Sequence, residues 1–238
     1  MSVAKITRAY IESIENTKLF TYNDIPSDCK SSIAIELSRL YKKGIIRKVS
    51  KGKFYKPEKR LFGEITPSSD DKISSYIDTI AGVSYETGLN SFRRLGLTTQ
   101  IPNTTTIATD KPYRKVKLDN IKLKFVQKRV DVDKEDILLV QILDALKDIK
   151  KIPATTPENA FLYLKNIIKK ESREKQIKLS KYALKYTPRT RALVGAILKE
   201  IGLRESASIL KETLNPITKY KIGISSDTLP SKNYWNII

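Results

Sequence analysis

Hydroxyl and basic side chains that share one face of a helix are the residues of this chain best placed to do chemistry. The apolar residues of segment 31–43 recur at helical spacing, so an amphipathic helix with one core-facing stripe is predicted there. The predicted core-facing residues are Ile33, Leu37, Leu40 and Tyr41. The residues predicted on the opposite, solvent-facing side are Ser31, Ser32, Ile35, Ser38, Arg39 and Lys42.

This combination of side chains suits the major groove of DNA. A hydroxyl can bond several base edges, a guanidinium can contact guanine with two hydrogen bonds, and an apolar group can meet the methyl of thymine. Arg39 is therefore the predicted base-reading residue. The residues predicted to hold phosphates, which position a protein without reading sequence, are Lys42, Lys43, Lys48, Lys51 and Lys53.

The elements around this helix indicate how it is positioned. A first amphipathic helix is expected over about 3–16, followed by a short turn that Thr21 or Asn23 can cap. Gly44 stands where a helix C-terminal cap is needed, and the β-prone run after it predicts a hairpin with a basic tip. Helix, short turn, helix and hairpin is the order of a winged helix-turn-helix, which we assign to residues 1–60.

The charge of the chain favours an anionic partner. Forty-five Lys and Arg residues oppose 26 Asp and Glu residues, a net charge of +19, and such an excess attracts polyanions. A uniformly Lys-rich composition would raise the charge in the same way. The excess is uneven, however: residues 30–60 hold 11 basic and 2 acidic side chains, whereas residues 61–135 are nearly balanced. This unevenness favours a localised binding surface.

The residue types that the chain lacks exclude many enzyme classes. It has no histidine, which removes Ser-His-Asp and Cys-His nucleophile systems and His-ligated zinc. The single cysteine, Cys29, allows neither an internal disulfide nor a thiolate metal site and is expected to be a small buried residue. No glycine opens a phosphate-binding loop of the P-loop type. We therefore expect a non-enzymatic protein without cofactor or metal.

Two nearby carboxylates leave one enzymatic alternative open. In a strand, Asp131 and Asp133 would share a face and could hold magnesium ions for phosphoryl chemistry. They stand just before a helical segment, where acidic side chains complement the positive end of the helix dipole. We favour this second interpretation.

A cytoplasmic location without a membrane partner is also expected. No apolar run approaches the ~20 residues of a spanning helix. The charged N-terminal residues are not followed by the apolar stretch of a secretory signal. A single cysteine fits a reducing compartment.

The rest of the chain predicts an α+β arrangement. Residues 61–71 resemble a linker, and 72–238 are assigned to a C-terminal domain. Short helices are expected at 72–81 and 86–95, then a small antiparallel sheet over about 97–130 with a turn at Asp119-Asn120. Helical periodicity then covers about 134–214, with helices predicted at 137–146, 157–168, 177–186, 188–201 and 205–214. The predicted fold class is therefore α+β, with a mainly helical C-terminal region.

The motifs of the chain resemble those of AbiE-type antitoxins from type IV toxin–antitoxin systems. In the N-terminal module the similar residues are Phe20-Thr21-x-x-Asp24-Ile25 and Leu37-x-Arg39-Leu40-x-x-Lys43-Gly44-x-Ile46-Arg47-Lys48-Val49-x-Lys51-Gly52-x-Phe54-Tyr55. In the middle of the chain they are Gly96-Leu97-Thr98-Thr99-Gln100-Ile101-Pro102 and Thr106-Ile107-Ala108-Thr109. The helical C-terminal part resembles the third portion of the family more loosely. The resemblance covers nearly the whole chain.

The resemblance implies a function in two parts. Family members repress their own operon by binding inverted repeats in duplex DNA with the winged helix. They also neutralise a toxin of nucleotidyltransferase fold, which requires the C-terminal domain and often involves no stable complex. Carried over by position, the DNA-reading residues are Ser31, Ser32, Ser38 and Arg39, with Lys51 and Lys53 on the wing.

Two other functions remain open from the residues. The chain could be a winged-helix regulator that has no toxin partner. It could also be an RNA-binding protein that grips a structured RNA through the Lys-rich C-terminal helices. The side chains considered for that role are Lys165, Lys169, Lys170, Arg173, Lys175 and Lys178.

Overall fold

The computed structural model describes residues 2–50, 52–78, 80, 82–110, 116–118 and 121–238. In chain order the helices are α1 Val3–Ser13, α2 Lys30–Lys42, α3 Ser69–Ile77, α4 Leu89–Arg94, α5 Ile137–Lys147, α6 Pro157–Lys170, α7 Arg173–Ala183, α8 Pro188–Glu200 and α9 Arg204–Glu212. The strands are β1 Leu19–Thr21, β2 Arg47–Ser50, β3 Lys53–Tyr55, β4 Glu58–Arg60, β5 Gly63–Ile65, β6 Tyr85–Thr87, β7 Thr104–Thr109, β8 Val116–Leu118 and β9 Ile121–Gln127. The predicted mixed α+β class with a helical C-terminal region is confirmed.

Backbone contacts divide the chain into two units. The first unit contains Met1–Ile80 and Val116–Lys122, and the second contains Ala81–Lys115 and Leu123–Ile238. The first unit thus continues past the boundary predicted at residue 60. The predicted turn at Asp119-Asn120 lies outside the described residues.

The first unit is built around α1, α2 and an antiparallel sheet of strand order β1–β3–β2. The side chain of Ser2 caps α1, and a 3-10 turn at Tyr22–Asp24 carries a capping box made by Thr21 and Asp24. One core of this unit is formed by a set of buried apolar side chains: Ile11, Ile14, Phe20, Ile25, Ile33, Leu37, Leu40, Ile46 and Phe54. This core fixes α2 against α1 and the sheet.

The burial of α2 corrects one predicted position. Ile33, Leu37 and Leu40 are buried as predicted, but Tyr41 is 46% exposed. Tyr41 lies at one edge of the apolar stripe, and Glu36 lies at the opposite edge and is buried instead. The neighbouring elements therefore cover the side of the stripe on which Glu36 lies.

The segment 61–71, predicted as a linker, contains regular structure. Strands β4 and β5 pair as an antiparallel hairpin, with Arg60 opposite Gly63. Helix α3 begins at Ser69, three residues earlier than predicted, because the Ser68 hydroxyl accepts a hydrogen bond from the backbone N–H of Asp71 and caps the first turn.

The second unit combines a small sheet with α4–α9. Strand β7 lies between β6 and β9, and β6 runs antiparallel to β7. Helices α5–α9 lie close to the predicted segments. Strand β6 occupies residues predicted as the start of a helix: Gly88, at φ +70°, breaks the chain there, so α4 begins only at Leu89.

A buried carboxylate joins α5 to β6 and to the segment between α7 and α8. Asp144 of α5 accepts hydrogen bonds from the Thr87 hydroxyl of β6, at 2.6 Å, and from the Tyr186 hydroxyl, at 3.1 Å. Burial raises the pKa of Asp144. The network satisfies a buried polar group that would otherwise destabilise the unit.

Within the described residues, no helix combines the length and apolar character that crossing a membrane requires.

Candidate nucleic-acid interface

The outward face of α2 brings together most of the predicted base-contacting residues. At 100° per residue, the positions 31, 35, 38, 39 and 42 fall within an arc of roughly 100° on the side opposite Ile33 and Leu37. All five side chains on this arc are exposed, and Ile35 is 56% exposed. We call this set, Ser31, Ile35, Ser38, Arg39 and Lys42, the α2 stripe. It has the mixed hydroxyl, apolar and guanidinium chemistry that the sequence predicts.

Arg39 has a largely available guanidinium. Its side chain is 66% exposed, and Nη1 lies 3.5 Å from Oε2 of Glu36. A guanidinium carries five N–H donors in a planar fork, so one long contact leaves most of the fork able to meet a base edge or a phosphate.

The buried Glu36 holds α2 against α1. Its side chain is 2% exposed, and Arg8 Nε of α1 donates to Oε1 at 2.7 Å. This hydrogen bond is the main reason why the pKa of Glu36 is held below its ordinary value. The sequence prediction missed Arg8 and Glu36. The available signal was a carboxylate at the margin of an apolar helical stripe.

The start of α2 corrects the expectation for Cys29. Cys29 is exposed, because it occupies the position before the first helical turn, where the neighbouring elements do not cover it. Its thiol lies 3.1 Å from the hydroxyl of Ser32 and 3.7 Å from that of Ser31. The contact with Ser32 lowers the pKa of the thiol. Ser32 is half-buried, whereas Ser31 is exposed.

The β2–β3 hairpin has fewer available cations than predicted. Lys48 is exposed, as is Lys43 at the end of α2. Lys51 lies outside the described residues. Gly52, at φ +79°, brings the turn close to Tyr22, since a Cβ at this glycine would lie 3.2 Å from the Tyr22 ring.

Lys53 is buried, in contrast to the exposed position that the predicted phosphate contact requires. Its side chain reaches α3, where Nζ donates to the backbone carbonyl oxygen and to the hydroxyl of Ser75. Burial lowers the pKa of Lys53. The residue joins β3 to α3, a helix that starts inside the predicted linker, and this packing also explains why the first unit continues beyond residue 60.

Asp131 and Asp133 lie after strand β9 and outside any strand, so the strand face on which they could hold magnesium ions does not form. Among the described residues, no group of three or more Asp, Glu, Cys or His side chains could hold a metal ion. Asp131 is paired with Lys128 at 3.1 Å, and Asp133 precedes the 3-10 turn Lys134–Asp136 that leads into α5. This position agrees with the interpretation that the acidic residues complement a helix N-terminus.

A protein-family comparison matches residues 7–177 to a "Family of unknown function (DUF6088)". The chain belongs to the DUF6088 family. The DUF6088 match includes the whole α2 stripe and both hairpins of the first unit. It assigns no function to them.

Other comparisons add little to the DUF6088 assignment. No curated protein matches the chain. Among solved structures, a crystal structure of the RV2827C protein from Mycobacterium tuberculosis matches at 12% sequence identity with a TM-score of 0.49, covering 94% of this chain and 86% of that chain.

The Glu36–Arg8 pair predicts a pH-dependent stability. The folded-state pKa of Glu36 lies below its ordinary value of 4.5, so the pair stabilises the fold above that pH, and this contribution is lost as pH falls through the folded-state pKa. We expect Glu36→Gln to lower the free energy of unfolding by about 1–3 kcal/mol at pH 7, because a charged hydrogen bond is lost. Urea unfolding at pH 7 and pH 3 measures this difference, which should shrink at pH 3.

The matched control is Glu12→Gln, which removes an exposed carboxylate from α1. We expect a change within about 0.5 kcal/mol for it. If Glu36→Gln lowered the free energy of unfolding at pH 7 no more than Glu12→Gln does, the assignment of Glu36 as the residue that holds α2 against α1 would be wrong.

Proposed function

We propose that this protein binds duplex DNA through the α2 stripe, represses its own operon, and acts in the cytoplasm as the antitoxin of a nucleotidyltransferase-like toxin. The DNA-binding part rests on the first unit. The antitoxin part rests on the sequence motifs that resemble AbiE-type antitoxins.

The observation that carries the DNA-binding proposal is the composition of the α2 stripe. A solvent-exposed helix face that holds two serines, an isoleucine, an arginine and a lysine matches what the major groove presents. An exposed isoleucine beside an arginine has no role in the core of this unit. In the proposed interface, Ile35 would contact the methyl group of a thymine.

The arrangement of elements supports a winged helix-turn-helix. The first unit contains α1, the 3-10 turn Tyr22–Asp24, α2 and the hairpin β2–β3 in this order, and β1 pairs with β3. In such a domain the second long helix enters the major groove and the hairpin lies beside it as the wing. On this proposal α2 is the recognition helix, and Lys48 is a phosphate contact on the wing.

Arg39→Ala tests the base-reading role. We expect the parent protein to bind the duplex upstream of its own coding sequence ~10³-fold more tightly than a scrambled duplex of equal composition. Arg39→Ala should lose about 10–100-fold of this preference, because a bidentate contact to guanine is lost. Fluorescence anisotropy with both duplexes measures the two affinities.

The control for Arg39→Ala is Lys181→Ala, which removes an exposed cation from α7 in the second unit. It should leave the preference unchanged. Equal binding of both duplexes by the parent would contradict the operator proposal, and tighter binding of a structured RNA would favour the RNA-binding alternative.

Lysine substitutions separate phosphate contacts from structural cations. The double variant Lys42→Ala/Lys48→Ala should reduce the slope of log affinity against log salt by about 2, since each phosphate contact contributes about one unit. Lys53→Ala should leave the slope at the parent value and lower stability instead, because Lys53 bonds Ser75. A slope that falls equally with Lys53→Ala would contradict its structural assignment.

Growth rescue tests the antitoxin role separately. If a neighbouring gene encodes a nucleotidyltransferase-like protein, its expression should stop growth, and co-expression of this chain should restore it. Arg39→Ala should retain rescue, because the resemblance places neutralisation in the C-terminal domain. A chain that binds its operator and fails to rescue would be a winged-helix regulator without a toxin partner.

A further inference from the structure

The tip of the β4–β5 hairpin exposes two large apolar side chains. Leu61 is 98% exposed and Phe62 is 104% exposed, and they form the two-residue turn between the paired Arg60 and Gly63. Gly63 has φ +128°, a conformation that a residue with a Cβ adopts only with strain, so glycine suits the end of this tight turn. Two adjacent, fully exposed apolar residues at a tip indicate a binding role more than a single exposed residue does.

Hydrogen bonds hold the β4–β5 hairpin close to the C-terminal end of α2. Arg47 of β2 donates two hydrogen bonds to Glu64 of β5, from Nε at 2.9 Å and from Nη2 at 2.8 Å. The same guanidinium lies beside Gly44, because a Cβ on that glycine would be 3.2 Å from Arg47 Nη1. Gly44 follows α2 by two residues, so Arg47 connects β5 to the C-terminal end of the α2 stripe.

Chain geometry limits how far the apolar tip lies from this connection. Phe62 precedes Glu64 by two residues, so their Cα atoms are at most about 7 Å apart. Through Glu64 and Arg47, the tip is connected to the end of the proposed recognition helix, which carries Lys42 and Lys43.

Cations stand on one side of the apolar tip, and the two carboxylates of the hairpin, Glu58 and Glu64, are paired with Arg60 and Arg47. Lys59 and Arg60 directly precede the apolar pair, and both are exposed. Arg60 Nε bonds Glu58 at 2.8 Å, yet the Arg60 side chain remains 65% exposed. An apolar wedge with cations beside it is a combination with which proteins enter the minor groove of DNA, where the apolar group unstacks a base step and the cations hold phosphates.

We propose that the Leu61–Phe62 tip is a second DNA contact that inserts into the minor groove next to the major-groove segment bound by α2. This inference rests on the proposed DNA-binding function. Leu and Phe are among the apolar side chains that proteins insert between base steps from this groove. Insertion widens the groove and kinks the duplex by roughly 20–90°. The proposal therefore adds DNA bending to DNA binding.

The double variant Leu61→Ser/Phe62→Ser tests the wedge. Both side chains are exposed, so its thermal unfolding should match that of the parent. We expect affinity for the upstream duplex to fall by at least about tenfold and the bend to decrease, while the preference over the scrambled duplex remains. Anisotropy gives the affinities, and the gel mobility of fragments with the bound site at the centre or at the end gives the bend.

The matched control is Ile217→Ser, which removes an 85% exposed apolar side chain from the second unit and should change neither affinity nor bend. The wedge proposal is overturned if the tip variant binds and bends DNA as the parent does while Arg39→Ala loses preference; the proposed function then stands. The wedge proposal is also overturned if the tip variant binds DNA as the parent does but loses self-association in sedimentation. That result would assign the tip to contact with a second copy of the chain. A parent that binds no duplex DNA overturns both proposals.

Discussion

The buried carboxylate of Glu36 is the interaction on which the proposed interface depends. An unpaired charge inside a protein is strongly destabilising, and a buried carboxylate persists only with a cation and hydrogen bonds beside it. Arg8 supplies both from α1. The pair therefore fixes the rotation of α2 about its own axis, and that rotation decides which residues of the helix face solvent. Ile35, Ser38 and Arg39 share one exposed face because Glu36 is held at the edge of the core.

The sequence was sufficient to predict the α2 stripe, because helical periodicity separates a buried from an exposed face without knowledge of the neighbours. It was insufficient at the margins of the buried face. Glu36 and Tyr41 lie at roughly equal angles from the centre of the apolar stripe, on opposite sides. Which of the two is buried depends on where α1 packs, and α1 covers Glu36. Helical periodicity alone does not distinguish these two positions. The contact with α1 decides that Glu36 is buried and Tyr41 is exposed.

Lys53 shows a related limit in predicting from sequence which strand residues are exposed. A lysine near the turn of a basic hairpin is ordinarily solvated, and this justified a predicted phosphate contact. Its burial comes from α3, which begins in a segment rich in Pro, Ser and Asp that resembled a linker. The same residues support helix formation once Ser68 caps the first turn. In the second unit, helices that start at Pro157 or Pro188 were predicted well, whereas the three-residue β6 is too short to show alternation.

The distances around Glu36 also explain how one carboxylate can serve two arginines with different roles. Arg8 lies at 2.7 Å and Arg39 at 3.5 Å, so Arg8 makes the strong, aligned bond and Arg39 a weak one. If Arg39 turns away to contact a base, Glu36 keeps its principal partner, and the buried charge stays compensated. If Arg8 turned away, the long contact with Arg39 would not compensate the charge. In the proposed interface, Arg39 can therefore move to DNA at little energetic cost while Arg8 holds the helix that carries it.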